Sequence, residues 1–507
     1  MSYFLAAASG VLLALSFPKY GHPAFAWVAL VPLWLALSGW NGHTRRLPGR
    51  PARHAFLLGL LSGTVFFVGT VYWTGTVIAT FGEVPPAIAG FGMVMLAAYL
   101  AAYSACGAIV IARVIQAWGA RGLWLAPIVW VAAEYLRGTI FSGFPWVLLG
   151  SSQVTVLPVV QLASVLGVYG VSLLVAGMNG AITVALVSHG ARRVVTLLVA
   201  VGVLMGVAAW GMLRVREGAL LREGTPVTLG LLQGNVAQED KWKPGEARRI
   251  FTTYVAMTRD AVARGARAVI WPESSTPFMF EEEPLGQEQI RSLAQETRVP
   301  LLFGSDQLER GPSMRLFNAA FLVNPAGATA AVYRKMHLVP FGEFIPLKRW
   351  LYFVSPLVES LSEFSPGDDV VLLPMDGHLA STAICYEVVF PSLVRSAVLK
   401  GSELLTTITN DAWYGESSAP YQHFALASMR AVEQGRFLAR AANTGISGVV
   451  DPYGRVVQAS RIFEQVGLVQ EVRFLTSRTI YARIGDVVAQ AALLLTVLAH
   501  VAAGRVR

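Results

Sequence analysis

The chain has 507 residues, of which 54% are hydrophobic and only 14% charged, and it carries a formal net charge of +9. A charge fraction well under the roughly 25% of soluble domains excludes an ordinary soluble protein and calls for a membrane region. No basic run is interleaved with aromatics, so the positive charge reads as membrane topology and argues against a nucleic-acid partner.

Most of the apolar excess lies before residue 214. Apolar segments long enough to cross a bilayer, about 17–25 residues, are expected near residues 2–17, 23–40, 55–80, 87–112, 122–138, 160–187, 193–213 and 485–503, eight in all. The first two are short and meet at Phe17-Pro18-Lys19-Tyr20-Gly21, so a re-entrant pair is the alternative there. Met1-Ser2-Tyr3-Phe4 lacks the positive start of a signal peptide, so the first segment is read as an uncleaved span. Arg45, Arg46, Arg50 and Arg53 follow the second segment, Arg113 and Arg121 the fourth, Arg192 and Arg193 the sixth, and Arg505 and Arg507 the last. The loops between offer little more than Lys19 and Glu83. Cytoplasmic loops are the basic ones, which puts both termini inside and the long stretch before the last span outside. Arg214, Arg216 and Arg222 run against this pattern, but long domains translocate largely regardless of charge. The expected division is 1–213 for seven spans, 214–484 for an outer domain, and 485–507 for the last span and tail.

Within the membrane region Gly167, Gly170, Gly177 and Gly180 are expected to allow close helix packing, and Cys106 to pack as a small hydrophobe. Glu134 and Arg137 form either a local ion pair or a lipid headgroup contact. Ser142-Gly143-Phe144-Pro145-Trp146 is either an interfacial aromatic belt or a substrate-facing loop.

The outer stretch alternates strands and helices. Strands are expected at 227–233, 266–271, 300–304, 317–323, 329–333 and 404–409, in the run ending at Cys385, and in a pair around Asp451-Pro452-Tyr453-Gly454. Helical spacing covers 245–264, 287–297 and 421–434. Such alternation with hairpins predicts a mixed sheet covered by helices, α/β in class. The loop Phe344–Leu361 carries Ile345, Leu347, Trp350, Leu351, Tyr352, Phe353 and Val354, and reads as a membrane contact or a lid, with core burial as the alternative.

Three stretches carry chemistry. Trp271-Pro272-Glu273 sets a carboxylate after an apolar strand. Arg334-Lys335-Met336-His337-Leu338-Val339-Pro340-Phe341-Gly342-Glu343 supplies an ammonium and a second acid. Ser381-Thr382-Ala383-Ile384-Cys385-Tyr386-Glu387 ends a buried strand at a thiol beside a third acid. The chain has two cysteines, so Cys385 has no evident disulfide partner. A thiol near pKa 8.5 needs a base to take its proton, and attack on a carbonyl creates an oxyanion that an ammonium can hold. His337 and His423 stand alone, without zinc-site spacing, so no metal and no cofactor is expected.

In series these motifs resemble the nitrilase (carbon–nitrogen hydrolase) superfamily. So do Gln233-Gly234-Asn235, Asn410-Asp411-Ala412-Trp413-Tyr414-Gly415 and Gln422-His423. Together with the spans, essentially the whole chain is similar to the bacterial apolipoprotein N-acyltransferases. The resemblance implies an αββα sandwich, with Glu273 as general base, Lys335 as oxyanion stabiliser and Cys385 as nucleophile. It implies supporting acids at Glu343 and Glu387, and substrate-binding aromatics at Trp242, Phe341, Tyr386 and Trp413; bracing by Glu387 and core packing by the aromatics are the alternatives. It further implies a phospholipid acyl donor, phosphatidylethanolamine in the usual case, a cysteine thioester, and a diacylglyceryl apolipoprotein as amine acceptor, in the inner membrane with the catalytic domain on the periplasmic side. A membrane-tethered amidase that uses water is the rival enzyme. A lipoprotein-binding module on an inactive domain is the rival without chemistry.

Overall fold

The computed structural model describes residues 1–40, 47–241, 243–345 and 363–506. Trp242, Arg45, Arg46, Arg507 and nearly all of the apolar loop expected over 344–361 lie outside the described residues. The chain divides into two compact units. One comprises Met1–Ala79, Pro85–Glu217 and Ile484–Arg507; the other comprises Thr80–Val84 and Gly218–Arg483.

The first unit is helical. Among the described residues five helical runs are long and apolar enough to cross a membrane: Ala52–Val71, Pro86–Ser142, Ala163–Val187, Ala191–Leu221 and Val487–Arg505. The segments Ser2–Ala14 and Pro23–Ser38 are shorter apolar helices. A straight helix of the 57 residues Pro86–Ser142 would reach about 85 Å, far beyond a hydrocarbon core of about 30 Å. The run instead breaks where Gly119 takes φ +58, and the helices Pro86–Trp118 and Ala126–Thr139 pack against each other.

The small-residue seam does not lie where the glycine spacing placed it. A Cβ on Gly177 would meet nothing within 4 Å, Gly167 adopts φ +68 as a bend within its helix, and one on Gly170 would strike Leu166 of its own helix. Gly180 does face another element closely, with Pro127 at 3.0 Å. One tight crossing is between Ala52–Val71 and Pro86–Trp118. There a Cβ on Gly59 would lie 2.8 Å from the Cα of Ala105, and one on Gly63 would lie 2.7 Å from the Cβ of Ala101. Spacing along one helix tells which face is small but not which face another helix covers. For the same reason Cys106 is exposed on its helix and not packed inside.

Polar groups inside this unit satisfy irregular backbone. Asn179 Nδ2 donates to the carbonyls of Ala26 (2.9 Å) and Val175 (2.8 Å), while its Oδ1 accepts from Leu30 N (2.8 Å). Glu134 accepts from Leu149 N (2.6 Å), and Arg137 donates to the carbonyls of Phe144 and Trp146 (both 2.7 Å). These two side chains hold the irregular stretch around residues 143–149, between two short 3-10 turns, where free N–H and C=O groups are expensive.

The second unit is a two-sheet sandwich. The first sheet has the order β12-β1-β2-β3-β4-β5, with β1 Thr225–Gln233, β2 Ala268–Ile270, β3 Leu301–Glu309, β4 Arg315–Val323, β5 Thr329–Arg334 and β12 Val466–Phe474. The second has the order β11-β10-β9-β8-β7-β6, with β6 Leu373–Met375, β7 His378–Ile384, β8 Leu404–Thr409, β9 Leu438–Ala442, β10 Gly448–Val450 and β11 Val456–Ala459. Strand alternation sorts the side chains. Leu229, Leu231, Ile270, Leu302, Ala320 and Leu322 point into one core shared with Ile384, Leu404, Ile408 and Ala439 of the other sheet. Their neighbours Val269, Leu301, Phe303, Phe321 and Trp271 point the other way, against Ile250, Tyr254, Ile290 and Leu293 of the helices Pro244–Ala263 and Pro284–Thr297. Helices Pro391–Lys400 and Ala419–Gln434 pack with the second sheet. The unit is an αββα sandwich, α/β in class. The strand expected to end at Cys385 stops one residue earlier, at Ile384, because Cys385 turns out of the strand with φ +54.

Candidate active site

The polar residues converge where strands of both sheets end. Glu273 follows β2, whose line the chain extends through a Trp271 N–H bond to the Leu302 carbonyl at 2.8 Å. Strand β3 passes so close that a Cβ on Gly304 would lie 2.4 Å from Ser274 N and 2.7 Å from Glu273 Cα, so only glycine fits. Lys335 follows β5 and donates its backbone N–H to the Asn318 carbonyl of β4 at 2.8 Å. Cys385 comes from β7 of the facing sheet.

One buried network joins the expected residues. Lys335 Nζ donates to Glu343 Oε1 at 2.9 Å and lies 3.6 Å from Glu273 Oε1. Asn318 Nδ2 donates to both carboxylates, at 2.7 Å to Glu273 Oε1 and 3.0 Å to Glu343 Oε1. Glu273 Oε2 accepts from Asn410 N (2.8 Å), and Glu343 Oε2 from Val339 N (2.8 Å). The Lys335 side chain is only 1% exposed. Burial alone would lower its pKa, but the Glu343 and Glu273 carboxylates outweigh that and raise it, so the ammonium stays charged.

The Cys385 thiol is buried, and burial pushes its pKa up; the Glu273 carboxylate adds to the rise and Lys335 opposes it. The thiol is therefore protonated at rest and needs a base at the moment of attack. Glu273 is the acid whose charge the sulfur feels most.

Glu387 braces both sides of the elbow. Its Oε1 accepts from Tyr333 Oη (2.9 Å), Met336 N (2.7 Å) and His337 N (3.1 Å), and its Oε2 accepts from Ile384 N (2.8 Å). One carboxylate thus ties the segment after Lys335 to the residue before Cys385. Burial raises its pKa to about 7 against the pull of these donors and of Lys335.

The expected aromatics part company. Tyr386 is buried, with its ring 5.9 Å from His337 and edge-on to Phe390 at 5.0 Å. Phe341 is 45% exposed with φ +61. Trp413 is half-buried in the turn after β8.

Several polar neighbours escaped the sequence reading. Asn318 sits in the apolar run Leu316-Phe317-Asn318-Ala319-Ala320, and a lone amide in a buried strand was a readable signal. Lys241 and Asp306 are buried beside Glu273. Burial lowers the pKa of Lys241 against the pull of Asp306 and Glu273, and raises that of Asp306 to about 6. Nothing in the loop around Lys241 marks it. Among the described residues no group of three or more His, Cys, Asp and Glu side chains could hold a metal ion. The cluster can deprotonate a thiol, hold an oxyanion and form a thioester.

Residues 9–181 match the apolipoprotein N-acyltransferase N-terminal domain, and residues 228–474 match the carbon-nitrogen hydrolase family. The chain is 38% identical over 504 residues to an apolipoprotein N-acyltransferase of Geobacter metallireducens, covering 96% of this chain and 92% of that one. It is 34% identical to those of Methylococcus capsulatus (95% and 92% covered) and Nitrosomonas europaea (92% and 90% covered). A helical unit rich in exposed apolar side chains and a sandwich with a buried Glu–Lys–Cys cluster both fall within those matches, and this chain belongs to the apolipoprotein N-acyltransferase family.

Proposed function

We propose that the chain moves an acyl group from a phospholipid to the α-amino group of an apolipoprotein's N-terminal diacylglyceryl cysteine, by way of a thioester on Cys385. The observation that carries this is the Lys335–Glu273–Glu343 network beside a protonated, buried thiol. Glu273 takes the Cys385 proton as sulfur attacks the ester carbonyl. The tetrahedral oxyanion forms against the Lys335 ammonium. Collapse breaks the C–O bond, the proton passes from Glu273 to the departing oxygen, and a lysophospholipid leaves. The acceptor amine, with a pKa near 8, is partly neutral at pH 7. It attacks the thioester and gives a proton to Glu273; the C–S bond breaks, and that proton passes from Glu273 to the sulfur to return the thiol. Glu343 keeps Lys335 aimed, and Glu387 braces the elbow. Trp242, Phe341, Tyr386 and Trp413 are assigned to substrate contact.

Residues 214–484 form the periplasmic catalytic domain in this reading, 1–213 and 485–507 the inner-membrane part, with both termini cytoplasmic. Eight crossings are consistent with the five long runs if Pro86–Ser142 folds back once and the two short N-terminal helices each cross. Mixing the enzyme with phospholipid alone should add the mass of one acyl group to Cys385, stable until a lipopeptide amine is added. Cys385→Ala should show neither adduct nor transfer. Continuous release of free fatty acid would indicate the water-using hydrolase, and full transfer in Cys385→Ala would remove the nucleophile assignment.

A further inference from the structure

Behind Cys385 lies a second buried polar cluster that takes no part in these proton transfers. His423 of the helix Ala419–Gln434, Asp411 of the turn after β8 and Arg440 of β9 are all buried. His423 Nε2 lies 3.1 Å from the Cys385 carbonyl oxygen. Its Nδ1 lies 3.0 Å from Arg440 Nη2 and 3.1 Å from Asp411 Oδ1. Arg440 donates to Asp411 Oδ2 at 2.9 Å and to the Ile446 carbonyl at 3.2 Å, and Thr409 Oγ1 donates to Asp411 Oδ1 at 2.9 Å. A Cβ on Gly445 would fall 2.1 Å from Asp411 Oδ2, so only glycine leaves room for this carboxylate.

A carbonyl oxygen only accepts, so Nε2 carries a proton. At Nδ1 the neighbours pull opposite ways: the Arg440 guanidinium donates to a lone pair, whereas Asp411 Oδ1 would accept a proton. The Asp411 carboxylate already accepts from Thr409 and Arg440, which favours the lone pair at Nδ1. Burial and Arg440 both lower the pKa of His423, with Asp411 opposing, which keeps the ring neutral in this arrangement. The Tyr414 ring also faces His423, edge-on at 6.3 Å.

Cys385 takes φ +54, a conformation that a non-glycine residue keeps only where its surroundings over-determine it. The peptide before it is held by Glu387 through Ile384 N, and its own carbonyl faces His423. We propose that His423 is a positioning residue: as its Nε2–H tautomer, clamped by Arg440 and Asp411, it holds the Cys385 carbonyl and keeps the thiol aimed for attack. The proposal rests on Cys385 being the nucleophile.

The test uses the full chain in detergent, in a Cys106→Ala background. His423→Leu and His423→Gln are compared for thermal unfolding, for the pH–rate profile of Cys385 alkylation by iodoacetamide, and for kcat and KM of acyl transfer. His423→Leu should lower kcat by about 10–100-fold with KM for phospholipid within about twofold, as expected for a misaimed nucleophile. It should also displace the alkylation profile. His423→Gln keeps an amide N–H near the Nε2 position and should recover about tenfold of that loss. A folded His423→Leu with wild-type alkylation and kcat, or equal impairment of both variants, would overturn the proposal. If His423→Leu does not fold, nitrogen NMR of histidine-labelled wild type, with His423→Gln to assign the signal, decides. One ring protonated at Nε2 and bare at Nδ1 from about pH 6 to about pH 8 supports the proposal; a proton on Nδ1 overturns it. Alkylation reads the thiol directly, so failure here is distinct from failure of acyl transfer.

Discussion

The two units differ most in what they leave exposed. The helical unit turns large apolar side chains outward: Val194, Val195, Leu198, Val199, Val203 and Met205 of one helix, and Leu494, Leu495, Val497 and Leu498 of another, are all exposed. The sandwich turns its apolar side chains inward and also buries Glu273, Lys335, Glu387, Asp411, Arg430, Arg436 and Arg440. Outward apolar surface is stable only against lipid, and buried charge only where partners meet it. The contrast teaches where each unit is fragile. The helical unit depends on backbone approach between helices, the sandwich on buried charges that meet their partners.

Breaking the sandwich network should have the largest effect. Lys335→Met leaves Glu273 and Glu343 buried without their cation, which should destabilise the sandwich by about 3–5 kcal/mol. It should also slow thioester formation by about 10²–10³-fold through loss of oxyanion stabilisation. Thermal unfolding and adduct mass on the same sample check both. Glu273→Gln should slow adduct formation by about 10²–10⁴-fold, as for loss of a general base.

Glu387 sharpens the contrast through pH. Its folded-state pKa is raised to about 7, whereas in the unfolded chain it titrates near 4.3. The stability it contributes is present in acid and lost as pH rises through about 7. Activity runs the other way, because only the ionised carboxylate can accept from all four donors. Acyl transfer should therefore fall as pH drops through about 7, and Glu387→Gln should flatten that limb at a low level. A rising limb that persists in Glu387→Gln would assign it elsewhere; Asp306, at about 6, is the next group to test.

The helical unit should respond to shape and hardly at all to surface. Gly63→Ala drives a methyl to within 2.7 Å of Ala101 and should destabilise by about 1–3 kcal/mol, as overpacking does. Leu198→Ala, on an outward face, should change stability by less than about 0.5 kcal/mol, as at other exposed sites away from special features. Unfolding in detergent distinguishes the two. A large loss in Leu198→Ala would mean that this face is covered and not lipid-facing.

Local pattern was enough for much of this protein. Apolar length separated a helical region from an α/β region, because burial in lipid and burial in a sandwich need different runs of residues. Leu404–Thr409 reads as a strand from its own residues and is one. Glu273, Lys335 and Cys385 were legible as a base, a cation and a thiol in series near strand ends, and Glu343 and Glu387 through the family resemblance. What only the tertiary structure decided are the partners supplied from afar in sequence. Asn318 bridges Glu273 and Glu343, and Glu387 links the segments that carry Lys335 and Cys385. His423 meets Arg440 and the Cys385 carbonyl. The Gly59 and Gly63 seam and the exposed Cys106 belong to the same class. The residue types and their local periodicity are properties of the chain, but which face is covered, and by what, is set by how the elements stack.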